Sequence, residues 1–451
     1  MKRRLNTGSA WSLVAGSLMG LSLVLGSSVA LAELKAVGPL DPENGFPLWY
    51  QDEDGLTLEA CLETNGLCLL DAELDLPEPD EAIDFPANFP GEIFWWTADS
   101  ILETAQGGRA IMVLALEGAF DPEDIEAGNQ TSFSRVRLRV DIDINFPPGQ
   151  DAGTYTITHP FGVDTFELEE KDLGKRAINF TEDIGLGSAD FSGALASRIG
   201  PFLTWDSELP IMDAQGDEYI GDPAVEHTVT GSPFGTNYFM IEGPNIAQNE
   251  GDNNCPNPNG RDCIMTEFFA LSGKVATRFG VGVTRASVSK NADGTDQDLD
   301  VFAFSVPNQS IEVSGAGVPY APMLGDGTGR YFAHIETGTA APESITVTNI
   351  DDGIAVQSDL ADLVSISYAY YDHVSGDLTV EASSSDETAI LTVYGTDGVQ
   401  LGAVTEGRLL VGNVVVPPHQ VVVTSSGGGS DSANVDVGYT SGCNKAGKKC
   451  K

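Results

Sequence analysis

Arg135-Val136-Arg137-Leu138-Arg139-Val140-Asp141-Ile142-Asp143-Ile144 alternates charged and apolar residues at strict period two. Successive side chains of an extended chain point to opposite faces, so this stretch predicts a strand with one buried face and one charged face. Pro147-Pro148-Gly149 ends it, because proline cannot donate to a sheet ladder. Residues 154–158 and 165–168 then form a predicted hairpin turning at Pro160 to Gly162. On the other side, 98–105 and 113–120 read as short helices or long strands, their apolar phase fitting both.

The same texture extends through the chain. Its 51 glycines and 24 prolines punctuate many short runs of Val, Ile, Thr, Tyr and Phe, which predicts strands divided by turns. From 33 to 310 no boundary stands out apart from an acidic, proline-bearing loop at 71–84, so 33–310 is expected to be one large β-rich domain, with two packed sandwiches as the alternative within it. Beyond it, seven regular runs (344–349, 365–371, 378–383, 390–394, 409–416, 420–424 and 433–437) predict an immunoglobulin-like β-sandwich over 311–438. The cysteine and tryptophan signature of antibody domains is absent there, so this is a statement of architecture. The expected fold class is all-β.

Residues 1–32 read as a signal peptide, with a retained N-terminal anchor as the rival reading. Lys2-Arg3-Arg4 precede an apolar run from Trp11 to Leu25, and Ala30-Leu31-Ala32 supplies small residues for cleavage. The mature protein is therefore expected outside the cytoplasm, as a secreted, cell-surface or periplasmic protein that is not integral to the membrane. Its six cysteines suit that compartment: Cys61/Cys68, Cys255/Cys263 and Cys443/Cys450 form three close pairs, read as local disulfides. Zinc sites favour shorter spacers and nearby histidine, which these pairs lack. The last pair lies in a basic tail, 439–451, with Lys445, Lys448, Lys449 and Lys451.

The formal net charge is −44, and loss of Lys2, Arg3 and Arg4 with the leader takes it to −47. Such an excess of carboxylates repels phosphate backbones and argues against nucleic acid as a partner. Cations are the more natural ligands, and the competing reading is that the acidity only keeps a secreted protein soluble or suits a saline habitat. Asn291, Asp293, Asp296, Asp298 and Asp300 surround Gly294 in an acidic loop whose oxygens are candidates for calcium. The spacing departs from an EF-hand, and a plain acidic hairpin tip is the competing reading. Asp52-Glu53-Asp54-Gly55 and Asp141, Asp143, Asn145 are weaker sets of the same kind.

Trp49, Trp95, Trp96 and Trp205 are the aromatic candidates, since an exposed indole face stacks on sugars and other apolar ligands. Adjacent Trp95 and Trp96 are expected on opposite faces of a strand, placing at least one in the core, and structural packing is the competing reading for all four. His159, His227, His334, His373 and His419 are scattered singly, with no metal-ligand spacing. No nucleophile elbow or phosphate-binding glycine loop appears: in Gly231-Ser232-Pro233 the proline stands where an elbow would continue.

The phrases at 41–50 (Asp-Pro-Glu-Asn-Gly-Phe-Pro-Leu-Trp-Tyr), 89–92 (Phe-Pro-Gly-Glu), 231–237 (Gly-Ser-Pro-Phe-Gly-Thr-Asn) and 378–385 (Leu-Thr-Val-Glu-Ala-Ser-Ser-Ser) resemble a group of uncharacterised exported bacterial proteins. In that group a large β-rich domain precedes an immunoglobulin-like module. The resemblance implies secretion and β architecture, and carries over no functional residue.

Two functions compete on these grounds. One is a non-catalytic secreted or surface scaffold that binds an extracellular partner or polymer, with calcium stabilising a loop. The other is a secreted hydrolase with a carboxylate site in the large domain. A concave cleft holding two convergent acids of raised pKa would favour the hydrolase, and a flat sandwich the scaffold.

Overall fold

A computed structural model describes residues 33–438 apart from 122, 143–150, 188–190, 208, 248–254, 256–261 and 339–340. The leader 1–32, the tail with Cys443 and Cys450, and Asp143 and Asn145 lie outside the described residues. Strand accounts for about 52% and helix for about 4%, which makes the chain all-β. Among the described residues no helix is long and apolar enough to cross a membrane.

The alternating stretch lies at the centre of the largest sheet. Strands Ile93–Glu103 (β1), Arg109–Phe120 (β2), Gln130–Ile142 (β3), Gly174–Ile184 (β4) and Phe268–Ser272 (β5) pair antiparallel in the order β5, β1, β2, β3, β4, extended beyond β5 by His227–Thr230 and Thr204–Trp205. Both ambiguous segments, 98–105 and 113–120, are therefore largely strand. The expected alternation holds along β3: Val136, Leu138, Val140 and Ile142 are buried while Arg135, Arg137 and Arg139 are half-buried. Each such aliphatic side chain contributes about 1.5–3 kcal/mol by leaving water, which fixes the register, because a one-residue slip would expose all four.

The core face of this sheet packs with a six-stranded sheet bearing Tyr50 and Leu58, and with a four-stranded sheet bearing Tyr155, Ile157, Phe239 and Ile241. The predicted hairpin belongs to the latter, as Gly153–His159 and Gly162–Leu168. Trp95 and Trp96 both enter this core. A β-bulge between Phe94 and Trp96 adds a residue to β1 and breaks the alternation, so adjacent indoles face the same way.

Two further cores follow in sequence. The second, from Val281 to Val347, forms around Gly282–Lys290 (β6), Gln297–Phe304 (β7), Arg330–Glu336 (β8) and a four-stranded partner sheet. The third, from Val364 to Val423, lies between two four-stranded sheets. Residue 310 falls inside the second module, where β7 before it pairs with β8 after it from Asp298↔Glu336 to Phe304↔Arg330. Of the seven runs expected in one sandwich, Ser344–Asn349 packs in the second core and later ones in the third.

The junctions are tied by specific contacts. Trp49 donates its indole N–H to the Phe279 carbonyl at 2.8 Å, and Asp352 Oδ2 accepts from the backbone N–H of Phe279 and of Gly280, each at 2.7 Å. Ser385 donates to the Val288 carbonyl at 2.7 Å, and Lys290 pairs with Asp386 at 3.0 Å. Successive modules are thus joined by hydrogen bonds and an ion pair as well as by the chain itself.

Candidate functional site

Antiparallel register places side chains in rows across the face of the large sheet opposite its core. One row reads Ser272, Thr97, Ala115, Arg135, Asp183; the next reads Ala270, Asp99, Val113, Arg137, Thr181. A third reads Ile101, Ile111, Arg139, Asn179. The disulfide-closed loop crosses the β5 end, where Leu69 N–H donates to Ser272 Oγ at 3.0 Å. Toward β3 and β4 the face is half-open, and it is charged.

At one end lies a cleft of about 560 Å³ lined by Glu92, Glu117, Asp121, Glu123, Phe133 and Arg135. Glu117 is only 2% exposed. Arg135 Nη1 donates to both of its oxygens, at 3.1 and 2.8 Å, while Nε and Nη2 grip Asp183 at 2.8 and 3.1 Å. Burial pushes the Glu117 carboxyl up to about 7 against the pull of Arg135, and the negative charge of Glu92 adds to the rise. The guanidinium also lies 4.8 Å from the centre of the Phe133 ring.

The next row is less complete. Burial raises Asp99 to about 6, with the charge of Arg137 acting in the opposite direction. Asp99 Oδ1 and Arg137 Nε are both buried, and neither has a hydrogen-bond partner among the described residues. Burial without a partner is costly for either group. Beyond them Arg139 donates to the Leu138 and Phe180 carbonyls and to Thr181 Oγ1. Its pKa is lowered by burial and then by Arg137, Arg176 and Arg135, so it lies in a locally positive field. Arg176 sits where β4 bulges against β3, at φ 54°, with its N–H on Asp141 Oδ1 at 2.8 Å. This face donates through guanidinium groups and accepts through carboxylates at neighbouring positions. The signal in the sequence was Arg-x-Arg-x-Arg in a chain of net charge −44, which period-two reasoning treats as a solvated face.

The tryptophan candidates fall elsewhere. Trp49, Trp95 and Trp96 are 3%, 0% and 0% exposed, and their indole N–H groups bond the carbonyls of Phe279, Pro47 and Leu203. Those three rings are packed on both sides and offer no stacking surface, which corrects the expectation for them. Trp205 is half-buried, stacks on His227 at 4.8 Å, and lines an opening of about 340 Å³ with Leu209 and Tyr219.

The acidic loop forms the tip of the β6–β7 hairpin. Asn291 Oδ1 accepts from Thr295 and Asp296 N–H, and Asp293 Oδ1 accepts from Thr295. Asp298 and Asp300 lie on β7 beyond the turn, and Asp300 pairs with His334 at 2.8 Å. At about 3.4 Å per residue, Asp300 lies roughly 14 Å along the chain from Asp296, whereas calcium holds its oxygens at about 2.3–2.6 Å. The five residues do not share one centre. Among the described residues, the trio of metal-ligating atoms that does converge is Cys61, Glu63 and Cys68, whose two sulfurs are bonded to each other. Cys255–Cys263 is likewise a disulfide, so two of the three expected bridges are present. Asp52 is spent on the backbone N–H of Leu56 and Phe202.

His159 is fully buried against Asp164, which Arg198 grips in turn. Ser232 in the 231–237 phrase donates to the Pro160 carbonyl at 2.8 Å and accepts from Thr236 N–H, so that phrase docks a loop onto the hairpin turn. Its hydroxyl is engaged in that contact.

No family model and no curated protein matches the chain. A solved structure described as "Biofilm associated protein - BSP domain" is similar at 11% identity over 74% of this chain and 75% of that one, with a TM-score of 0.18. That superposition is too loose to carry structure or function from one chain to the other.

Proposed function

We propose that this chain is a non-catalytic exported β scaffold that binds an extracellular polymer or surface partner along the half-open face of its largest sheet. The observation that carries the reading is the row Asp99, Val113, Arg137, where an acid and a guanidinium occupy one solvent-reaching face with buried polar atoms still unpartnered. Closely tied module junctions suit a rigid support, and the cysteine pairs suit an oxidising compartment. The reading requires no metal.

The hydrolase reading has one observation in its favour, the raised Glu117 in a cleft beside Glu92. Against it, Arg135 occupies both oxygens of Glu117, so a proton donated from that carboxyl would have to leave a site built to hold an anion. The deciding experiment is to pass the purified protein over immobilised polysaccharides, scoring retention and soluble breakdown products together. Retention without products is expected. Products that disappear in Glu117→Gln would establish the hydrolase instead.

A further inference from the structure

The large sheet concentrates cations where the protein as a whole has few. The chain holds 23 Lys and Arg against 67 Asp and Glu, yet Arg135, Arg137 and Arg139 alternate on one face of β3, and Arg109 and Arg176 stand at its edge on the two neighbouring strands. Successive arginines are about 6.8 Å apart, since same-face residues repeat every second position. Their roles differ. Arg135 is consumed by Glu117 and Asp183, and Arg139 largely by backbone carbonyls. Among the described residues Arg137 makes no ion pair, and the side chain of Arg176 is exposed.

We infer that the partner bound on this face is a carboxylated polysaccharide, its carboxylates meeting Arg137 and Arg176 and its hydroxyls donating to Asp99. This rests on the polymer-binding reading above and names the polymer's chemistry. A planar guanidinium matches a carboxylate with two parallel hydrogen bonds. Acids interleaved with arginines discriminate further: Asp99, Glu117 and Asp183 repel a polymer as densely charged as duplex DNA, with one charge per about 1.7 Å of its axis, and Asp99 accepts from the free ring hydroxyls that a uronate polymer carries and duplex DNA lacks. The acidic remainder of the protein adds to that repulsion. A neutral glucan would supply the hydroxyls and leave Arg137 without its counter-ion.

The test is binding of the purified protein to polygalacturonate, a neutral glucan and double-stranded DNA at one ionic strength, by biolayer interferometry. Polygalacturonate should bind most tightly, and Arg137→Glu should weaken it by about tenfold or more, the usual scale for losing a charged hydrogen-bonded contact. Arg330→Glu makes the same charge change on an exposed site of the second module and should alter binding by less than about twofold. Arg176→Glu, at an exposed position, guards against a folding defect in Arg137→Glu and should weaken binding in the same sense. If the glucan binds as tightly as polygalacturonate and neither Arg137→Glu nor Arg176→Glu matters, the anionic assignment falls while polymer binding stands. Retention of none of the three polymers overturns both, and tighter binding of DNA overturns the carbohydrate class.

Discussion

Asp99 and Arg137 stand in one row of the large sheet on either side of Val113, oppositely charged, without forming an ion pair. The next row contrasts with it: Arg135 closes onto Asp183 directly and onto Glu117 diagonally. Adjacent β3 and β4 bring Arg135 and Asp183 within bidentate reach, whereas Asp99 and Arg137 are separated by an intervening strand, about 9.6 Å between backbones. The gap is a consequence of topology, and four stability predictions follow from this and neighbouring contacts.

Burial holds Asp99 at about 6, above its ordinary 3.8. The folded protein keeps a proton that the unfolded chain releases, so stability falls as pH rises through this window. Asp99→Asn removes the dependence. Relative to the parent protein the variant should gain about 2 kcal/mol between pH 4 and pH 7.5. Urea melts at the two pH values measure this, and the same difference at both would mean that Asp99 titrates as in water.

His159 works in the opposite direction. The Phe161 N–H on Nδ1 places the ring proton on Nε2, toward Asp164, and burial lowers the pKa below 6.5. Here the unfolded chain takes up the proton first, so the stability is present above pH 6.5 and is lost as pH falls below it. His159→Gln should flatten the acid side of the stability profile between pH 6.5 and 5. An unchanged acid slope in thermal melts would contradict this.

Lys274 is 6% exposed and meets Glu59 and Asp217, each at 2.9 Å, and also Glu63 of the disulfide loop. Those carboxylates hold its ammonium well above the ordinary lysine range despite the opposing cost of burial. Lys274→Met should cost about 3–5 kcal/mol in urea unfolding, because it leaves three clustered carboxylates without a counter-ion. A loss below about 1 kcal/mol would mean that water already screens them.

The hairpin at 291–300 should make stability independent of calcium. Its turn oxygens are engaged with loop N–H groups, and Asp300 is engaged with His334. Adding calcium or a chelator should leave Tm unchanged, since a ligand stabilises only by binding the native state. A rise with calcium that is lost in Asp293→Asn would place an ion at the turn.

Much of the fold was legible because β structure writes itself locally. Val136, Leu138 and Val140 interleave with three arginines, and that alone identifies β3 and its buried face. The hairpin over Pro160 and both described disulfides also involve residues close in sequence. Trp95 was harder, since a bulge changes the face of a residue without changing its type. The module boundary near 281 was hidden because β7 finds its partner β8 across residue 310, and nothing in either strand announces that pairing.

The amino-acid order therefore determined the class of structure, the position of the central strand and which of its faces is charged, all properties set by short-range periodicity and the hydrophobic effect. Only the tertiary structure decided that Arg135 is neutralised while Arg137 is left facing Asp99 across Val113. Such outcomes depend on which strands become neighbours and in what register. A charged side chain acts through whatever lies within a few ångströms, and at that range the neighbours are chosen by the sheet.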